Sequence, residues 1–254
     1  MLITTRGIVI SSREVGESDR SISIITDKLG VIDILAKGAR KINSKNNAST
    51  QLFAYASFCF NERGGRYYLN SSEPVNIFYG IRSDIKKVAL ASYLADLVRY
   101  AVMALQPSEE TMRLLLNTFY FLSESDISCG QLKAVFELRF ACCIGHSPQL
   151  LGCAECLKFT DEVMYFFYND GRLLCSEHYD LDSEIYDQSI YPKSAALSES
   201  MLHIIRLVCL SDMEKLFAFR LKGDTLTAFG QIAQRYLLEH LQHKFSTLDF
   251  YLSV

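Results

Sequence analysis

The chain has 254 residues, of which 49% are hydrophobic and 22% are charged. This composition excludes disordered and collagen-like proteins, and the length suggests two or three folding modules. The formal net charge is −3, so the molecule as a whole has no strong electrostatic attraction for nucleic acids or acidic membranes, and any basic surface must be local.

The N-terminal residues lack the basic segment and apolar core that a secretory signal requires. The apolar stretches at 88–95 and 100–105 are interrupted by Asp96 and Arg99, well before they reach the roughly 20 residues of a membrane span. We therefore expect a cytoplasmic protein that does not interact with membranes. In that reducing compartment, the eight cysteines are expected to be buried thiols or metal ligands and not disulfides.

Short runs of β-branched and aromatic residues, often alternating, occupy the first module, residues 1–78. They lie at 7–10, 21–25, 31–35, 55–60 and 67–69. Turn sequences separate these runs, with Gly30 closing one hairpin and Gly64-Gly65 another. Five such strands predict a small barrel of the OB-fold type, although a small sandwich or another barrel fits the same pattern.

Beyond Pro74, apolar residues recur at helical spacing, which predicts an α-helical bundle over residues 79–254. Apolar stripes begin near Ile81, after a helix start at 107–110, and near Leu132. A final helix is predicted over residues 226–245. A cysteine-containing insertion at about 151–180 interrupts the bundle, so the predicted fold class is α+β.

Two ligand pairs in this insertion have the spacing of a zinc site. Cys153-Ala-Glu-Cys156 is followed, after eighteen residues, by Cys175-Ser-Glu-His178. Between the pairs, an aromatic run at 163–168 and a turn at 169–171 predict a hairpin that brings the second pair back to the first. Four protein ligands leave no open coordination position, so the predicted zinc is structural. A redox-active Cys153/Cys156 pair is the alternative.

The first module is locally basic, with ten Lys and Arg residues against seven Asp and Glu residues among residues 1–80. Phosphates would be attracted to this region, and outward-facing aromatic residues there could stack on unpaired bases. Lys37, Arg40 and Lys41 are the first candidates, because Gly38 lets backbone N–H groups approach a phosphate with them. The further candidates are Lys45, Arg63 and Arg66. A solvated loop surface explains the same charges.

Common catalytic signatures are absent, including the phosphate-binding and dinucleotide-binding glycine motifs and the usual zinc-protease and esterase motifs. No catalytic residue is therefore assigned. Two other readings stay open: a metal-dependent nuclease that uses scattered carboxylates, and a scaffold that binds proteins but not DNA.

The order of motifs along nearly the whole chain resembles the bacterial recombination mediator family RecO. The matching segments begin with the strand at 7–10 and the acidic turn at 14–19, followed by the basic loop at 36–41. Segments at 93–97, 136–140 and 145–150 continue the match, and the Cys153 pair then follows. Two features depart from the family pattern: His178 stands where zinc-bearing members usually have cysteine, and Asp170-Gly171 replaces a Gly-Gly pair.

The resemblance implies a non-enzymatic, nucleoid-associated protein of recombinational repair. Such a protein binds single- and double-stranded DNA, anneals complementary strands and, with RecR, loads RecA onto coated DNA. It also implies binding of the acidic C-terminal tail of single-stranded-DNA-binding protein by the helical domain. Arg113, Lys133 and Arg139 are our candidates for a basic rim around that tail.

Overall fold

The computed structural model describes residues 2–183 and 193–254, and its first five strands form a closed barrel. The strands are β1 (Leu2–Val15), β2 (Asp19–Thr26), β3 (Gly30–Ala36), β4 (Tyr55–Arg63) and β5 (Arg66–Asn76). Their order is β1-β2-β3-β5-β4, with β1 pairing again with β4 and β3 running parallel to β5. The arrangement is that of a five-stranded OB-fold, so the predicted barrel is confirmed.

The barrel core is made of apolar side chains from alternate strand positions. Fully enclosed members include Val9, Ile22, Ile24, Phe58 and Phe60. On β5, Tyr67 packs edge-to-face on Phe60 with ring centroids 5.2 Å apart. Because successive side chains of a strand point to opposite faces, the neighbouring Tyr68 is directed away from this core. The alternation therefore decides which aromatic residues can meet a ligand.

Three helices pack in the same compact unit as the barrel, which comprises Met1–Cys129 and Phe245–Val254. They are α1 (Ile85–Ala101), α2 (Glu109–Glu124) and α7 (Ser246–Ser253). Asp84 caps α1 by accepting a hydrogen bond from the Lys86 N–H at 2.8 Å. The rings of Tyr93 and Tyr100 pack edge-to-face on Phe245, which precedes α7. Residues Phe245–Val254 therefore complete the packing of this unit.

The connection between α1 and α2 lies against the turn between β2 and β3. The Leu105 N–H donates to the Leu29 carbonyl at 2.8 Å, and the Ser108 hydroxyl donates to the Thr26 carbonyl at 2.7 Å. Gly30 has a φ of +61°, and a Cβ at this position would lie 2.1 Å from the Met103 carbonyl oxygen. Glycine is therefore required where the two segments meet.

A second compact unit comprises Gly130–Lys244 and is mainly helical. Its helices are α3 (Cys129–Cys143), which begins one residue before the unit, α4 (Ser176–Ser183), α5 (Glu199–Leu210) and α6 (Gly223–Leu241). The predicted hairpin is formed by β6 (Met164–Phe167) and β7 (Leu173–Cys175). A third strand that the sequence analysis did not predict, β8 (Ser194–Leu197), pairs with the other edge of β6.

The predicted helix over 226–245 is wrong at its C-terminal end. α6 stops at Leu241 because Gln242 adopts a left-handed conformation with a φ of +49°. Its N–H still donates to the Leu238 carbonyl, which completes the last helical turn. The chain then passes into α7 of the first unit.

The two compact units do not divide where the sequence modules do. The sequence boundary near residue 78 lies inside the first unit, because α1 and α2 contact β1 and β2 of the barrel. The division into an OB-fold domain of residues 1–78 and a helical domain of residues 79–254 stays a prediction, and the two compact units describe the packing.

The described helices are of ordinary length for a globular protein. The longest of them, α6, has 19 residues and includes Asp224, Arg235 and Glu239. Across residues 2–183 and 193–254, no helix is both long enough and apolar enough to cross a bilayer.

Candidate metal centre and nucleic-acid surface

The structure brings the four predicted metal ligands together. One donor atom from each of Cys153, Cys156, Cys175 and His178 lies within 4.8 Å of all the others. The Cys156 and Cys175 sulfurs are 3.8 Å apart, and His178 Nδ1 lies 3.7 Å from the Cys153 sulfur and 3.1 Å from the Cys175 sulfur. A tetrahedral ion with Zn–S bonds of about 2.3 Å places two sulfurs about 3.8 Å apart, so the donor set fits zinc.

The first ligand pair lies on a tight turn that its backbone hydrogen bonds define. The Leu157 N–H donates to the Cys153 carbonyl, and the Cys153 N–H donates to the Lys158 carbonyl, both at 2.9 Å. The Ala154 N–H donates to the Leu173 carbonyl at 2.8 Å and fastens the turn to β7. This contact aligns the first pair with the strand that ends at Cys175.

The second ligand pair lies at the junction of β7 and α4, and Asp161 fixes that junction. Its carboxylate accepts hydrogen bonds from the Ser176 hydroxyl at 2.7 Å and from the Ser176 N–H at 3.1 Å, and it pairs with Lys158 at 2.9 Å. The Ser176 hydroxyl and then Lys158 hold the pKa of Asp161 well below its usual value. Since His178 lies in the first turn of α4, Asp161 orients a ligand that it does not touch.

The electrostatic surroundings of the cluster favour cysteine thiolates that are bound to a metal cation. Burial opposes ionisation of Cys153, but the backbone N–H groups of Cys156, Cys175 and Glu155 outweigh it and lower the pKa of Cys153 to about 7. Burial raises the pKa of the Cys175 thiol. A metal cation would offset that cost, because thiolates bind zinc in their ionised form.

Replacement of Asp161 by alanine is expected to weaken metal binding without removing a ligand. The N-terminal turn of α4 loses its acceptor, so His178 is less well positioned, and zinc affinity should fall by about 10–100-fold. Competition with a chromophoric chelator measures this. The exposed neighbour Glu162 provides the control, since Glu162→Ala should leave the affinity unchanged. Equal affinities for both variants would contradict the role of Asp161.

The basic loop between β3 and β4 presents three exposed lysines, Lys37, Lys41 and Lys45. Side-chain hydrogen bonds brace this loop against β2 near both of its ends. The Gly38 N–H donates to Asp19 at 2.8 Å, near the start of the loop. Further along, Arg20 donates to the Thr50 hydroxyl at 2.9 Å. The sequence analysis did not single out Arg20, because a basic residue inside a strand gives no signal that it supports a distant loop.

The same loop segment is tied to strand β5. Asn46 accepts hydrogen bonds from both the N–H and the hydroxyl of Ser72 at 2.9 Å, and Ser49 shares a hydrogen bond with that hydroxyl. The lysines are therefore presented from a braced loop, which lowers the entropy cost of binding a ligand.

Arg40, a predicted phosphate contact, makes several contacts within the protein. Its guanidinium pairs with Glu14 at 2.8 Å and donates to the carbonyls of Gly16 and Glu17, both at 3.2 Å. The side chain is half-buried and ties the basic loop to the turn between β1 and β2. Through these contacts Arg40 helps to position the loop, and its role as a phosphate contact stays a prediction.

One aromatic residue accompanies the exposed lysines. The Lys37 ammonium lies 5.8 Å from the centroid of the half-buried Tyr68 ring, a cation–π contact. In contrast, Phe53 and Phe58 are buried and Tyr67 packs on the core. Of these aromatic residues, Tyr68 is the one placed beside a basic side chain.

The last two basic candidates lie across the turn between β4 and β5. Arg63 and Arg66 are both exposed and face each other across the two-residue turn of Gly64 and Gly65. Both glycines have positive φ, as a tight hairpin turn requires. The two guanidiniums therefore stand at the tip of one hairpin.

The three helical candidates for a partner rim have different surroundings. Arg113 on α2 is exposed. Lys133 is only 5% exposed and its ammonium contacts Glu137 at 2.9 Å and Gln234 at 2.8 Å, so it does not form an exposed rim as expected. Arg139 is half-buried and donates to the carbonyls of Val208 and Cys209. Arg113 belongs to the first compact unit, and Lys133 and Arg139 belong to the second.

Two family models match this chain consecutively. The one described as "Recombination protein O N terminal" matches residues 1–78, and the one described as "Recombination protein O C terminal" matches residues 82–249. The first covers the barrel strands, and the second includes all four candidate metal ligands.

Curated relatives resemble the chain over nearly its full length. A protein from Acetivibrio thermocellus is 32% identical over 98% of this chain and 95% of its own length. Proteins from Alkaliphilus metalliredigens and Bacillus subtilis are 28% and 27% identical, over 98% and 94% of this chain and 98% and 90% of their own lengths. Each of the three is named DNA repair protein RecO.

Proposed function

The chain belongs to the RecO family, whose role is in DNA repair and recombination, and from that premise we propose that it is a DNA-binding recombination mediator. It binds single- and double-stranded DNA, anneals complementary strands and acts without catalysing a chemical step. Its place of action is the cytoplasm, on the nucleoid.

The observation that carries this proposal is the braced basic loop on an OB-fold barrel. The exposed lysines of the loop offer phosphate contacts of the kind that make affinity fall with salt. Tyr68 offers a ring beside Lys37 on which an unpaired base could stack. Arg63 and Arg66 add two charges at the neighbouring hairpin. Arg40 supports the loop and contributes indirectly.

We assign zinc to the Cys153, Cys156, Cys175 and His178 cluster in a structural role. Four protein donors complete a tetrahedral shell and leave no position for substrate or water. The metal holds the turn after Gly152 to the β7–α4 junction, and no step of the proposed activity passes through it.

The proposed partners are RecR, with which the protein loads RecA, and the acidic C-terminal tail of single-stranded-DNA-binding protein. The tail is acidic and apolar, so its site combines a basic group with an apolar surface. Of the three predicted rim residues, Arg113 keeps an exposed side chain and stays a candidate.

A strand-annealing assay tests this proposal. Two complementary labelled strands are mixed with the protein in the presence of Mg²⁺, and both duplex formation and strand length are followed on gels. We expect annealing to be severalfold faster than the spontaneous reaction, to slow with rising salt, and to leave the strands intact. Shortened strands would instead indicate a nuclease. The absence of binding and annealing at low salt would favour a scaffold.

A further inference from the structure

The most exposed aliphatic side chain in the described part of the protein lies in the basic loop. Ile42 is 97% exposed, more than any other large hydrophobic residue within residues 2–183 and 193–254. Single exposed apolar side chains are common on protein surfaces, so exposure alone assigns Ile42 no role. The backbone conformation of its segment and the charges beside it are more informative.

Ile42 occupies a corner of a β-turn, a position that ordinary sequence preferences do not favour for it. The Ser44 N–H donates to the Lys41 carbonyl at 2.9 Å, so Ile42 and Asn43 are the two central residues of the turn. Asparagine is common in such turns, whereas β-branched residues favour strands. The isoleucine therefore adds nothing to the stability of its own turn. A residue that opposes the local preference of its segment is expected at functional sites.

The segment around Ile42 is basic on both sides. Residues 37–45 contain four Lys and Arg residues and no Asp or Glu. Three of the four are the exposed loop lysines Lys37, Lys41 and Lys45, of which two precede Ile42 and one follows it. A polyanion that these lysines bind would therefore be brought against the isoleucine side chain.

DNA is the polyanion that suits this surface. Its phosphates match the lysines, and the faces of its bases offer apolar surface wherever neighbouring bases unstack. The Tyr68 ring, 5.8 Å from the Lys37 ammonium, is a further surface on which a base can stack. The loop thus combines charges for the backbone of a strand with an aliphatic and an aromatic group for its bases.

We propose that Ile42 inserts between neighbouring bases of DNA that the loop lysines hold, and that this insertion favours strands with weakly stacked bases. The inference rests on the proposed DNA-binding function and adds to it a residue that discriminates between strands. The lysines bind phosphates whatever the sequence, whereas insertion requires two bases to separate. Separation costs least in a thymine strand and more in an adenine strand, because purines stack more strongly on each other.

Fluorescence anisotropy with oligo(dT) and oligo(dA) at several salt concentrations tests the proposal on the full-length protein. In Ile42→Ala, the affinity for oligo(dT) should fall by about fivefold or more, because an apolar contact with the bases is lost. The affinity for oligo(dA) should fall less, so the preference for oligo(dT) over oligo(dA) decreases. The salt slope should match that of the parent, since an isoleucine releases no counterions.

A tryptophan at the same position reports base contact directly. The chain contains no tryptophan, so Ile42→Trp has a single indole whose fluorescence is read without background from another. We expect its emission to be quenched when oligo(dT) binds, because the indole stacks on a base. Ile85, an exposed isoleucine in the first turn of α1, provides the matched control. Ile85→Ala should keep the parent affinities, and the emission of Ile85→Trp should not respond to DNA.

The possible results separate this inference from the proposed function. Parent-like affinity of Ile42→Ala for oligo(dT), or unquenched emission of Ile42→Trp at saturating DNA, overturns the role of Ile42 and leaves the proposed function intact. An equal loss of affinity for both strands overturns the discrimination by stacking. A parent protein that binds neither strand at low salt overturns both the inference and the proposed function. Because Ile42 is almost fully exposed, Ile42→Ala should keep the parent melting temperature, and it decides the question if Ile42→Trp does not fold.

Discussion

Replacement of Cys153 by serine is expected to remove zinc and to unfold the insertion around it. Cys153 is fully buried, and its neighbours are arranged to favour its thiolate. A serine hydroxyl does not ionise at neutral pH, so the cluster keeps three donors and an incomplete shell. We expect zinc affinity to fall by about a thousandfold, equivalent to about 4 kcal/mol. Metal content after gel filtration and the melting temperature measure the two effects.

Substitutions of His178 test the metal centre more specifically than replacement of a second cysteine does. His178→Ala should lose zinc as Cys153→Ser does, whereas His178→Cys replaces one zinc donor by another and should retain the metal. Cys59→Ser alters a half-buried thiol on the barrel strand β4 and should change neither metal content nor melting temperature. Parent-like zinc content in Cys153→Ser would contradict the proposed metal centre.

A triple replacement of Lys37, Lys41 and Lys45 by alanine is expected to cause the largest loss of DNA affinity. All three are exposed on the braced loop, so the variant should stay folded. The loss of three phosphate contacts should make the slope of log affinity against log salt less negative by about 2 for a single strand. At about 0.1 M salt, affinity should fall tenfold or more, as measured by fluorescence anisotropy.

A control variant distinguishes the loss of the loop lysines from the change in net charge. Lys215, Lys222 and Lys244 are also exposed but lie in the second unit, and their replacement by alanine changes the net charge equally. That variant should keep the parent salt slope. If both triple variants lose the same affinity, or if neither does, the loop lysines are not the DNA contacts.

The cluster of candidate metal ligands and the barrel were predictable because both are encoded locally. Paired x₂ spacing identifies Cys153, Cys156, Cys175 and His178, and a hairpin is enough to bring them together. The barrel was predictable from short runs of alternating apolar residues and from the glycine turns between them. Both signals lie within short segments of the sequence. Asp161 was not predictable in this way, because its partner Ser176 lies fifteen residues away and the sequence does not indicate which partner a carboxylate has.

The surroundings of Lys133 and Arg40 depend on long-range packing. Lys133 and Glu137 have the spacing of a solvated pair on a helix surface, yet α3 is buried on nearly all sides. The pair compensates its own charge, so both residues tolerate burial. Arg40, in the loop after β3, likewise pairs with Glu14 on the distant strand β1. A sequence shows a charge but not whether another element has already neutralised it.

Because α7 belongs to the first unit, the ribosome completes this unit only after it has synthesised the second. The barrel, α1 and α2 are complete by residue 129, but the packing partners of Tyr93 and Tyr100 begin at Phe245. Translation of the intervening 130–244 segment takes on the order of ten seconds at typical bacterial speeds. During that interval the apolar side of α1 has no cover from α7. A ribosome that stalls within the second unit therefore leaves both units unfinished, which makes such a product an easy substrate for proteolysis.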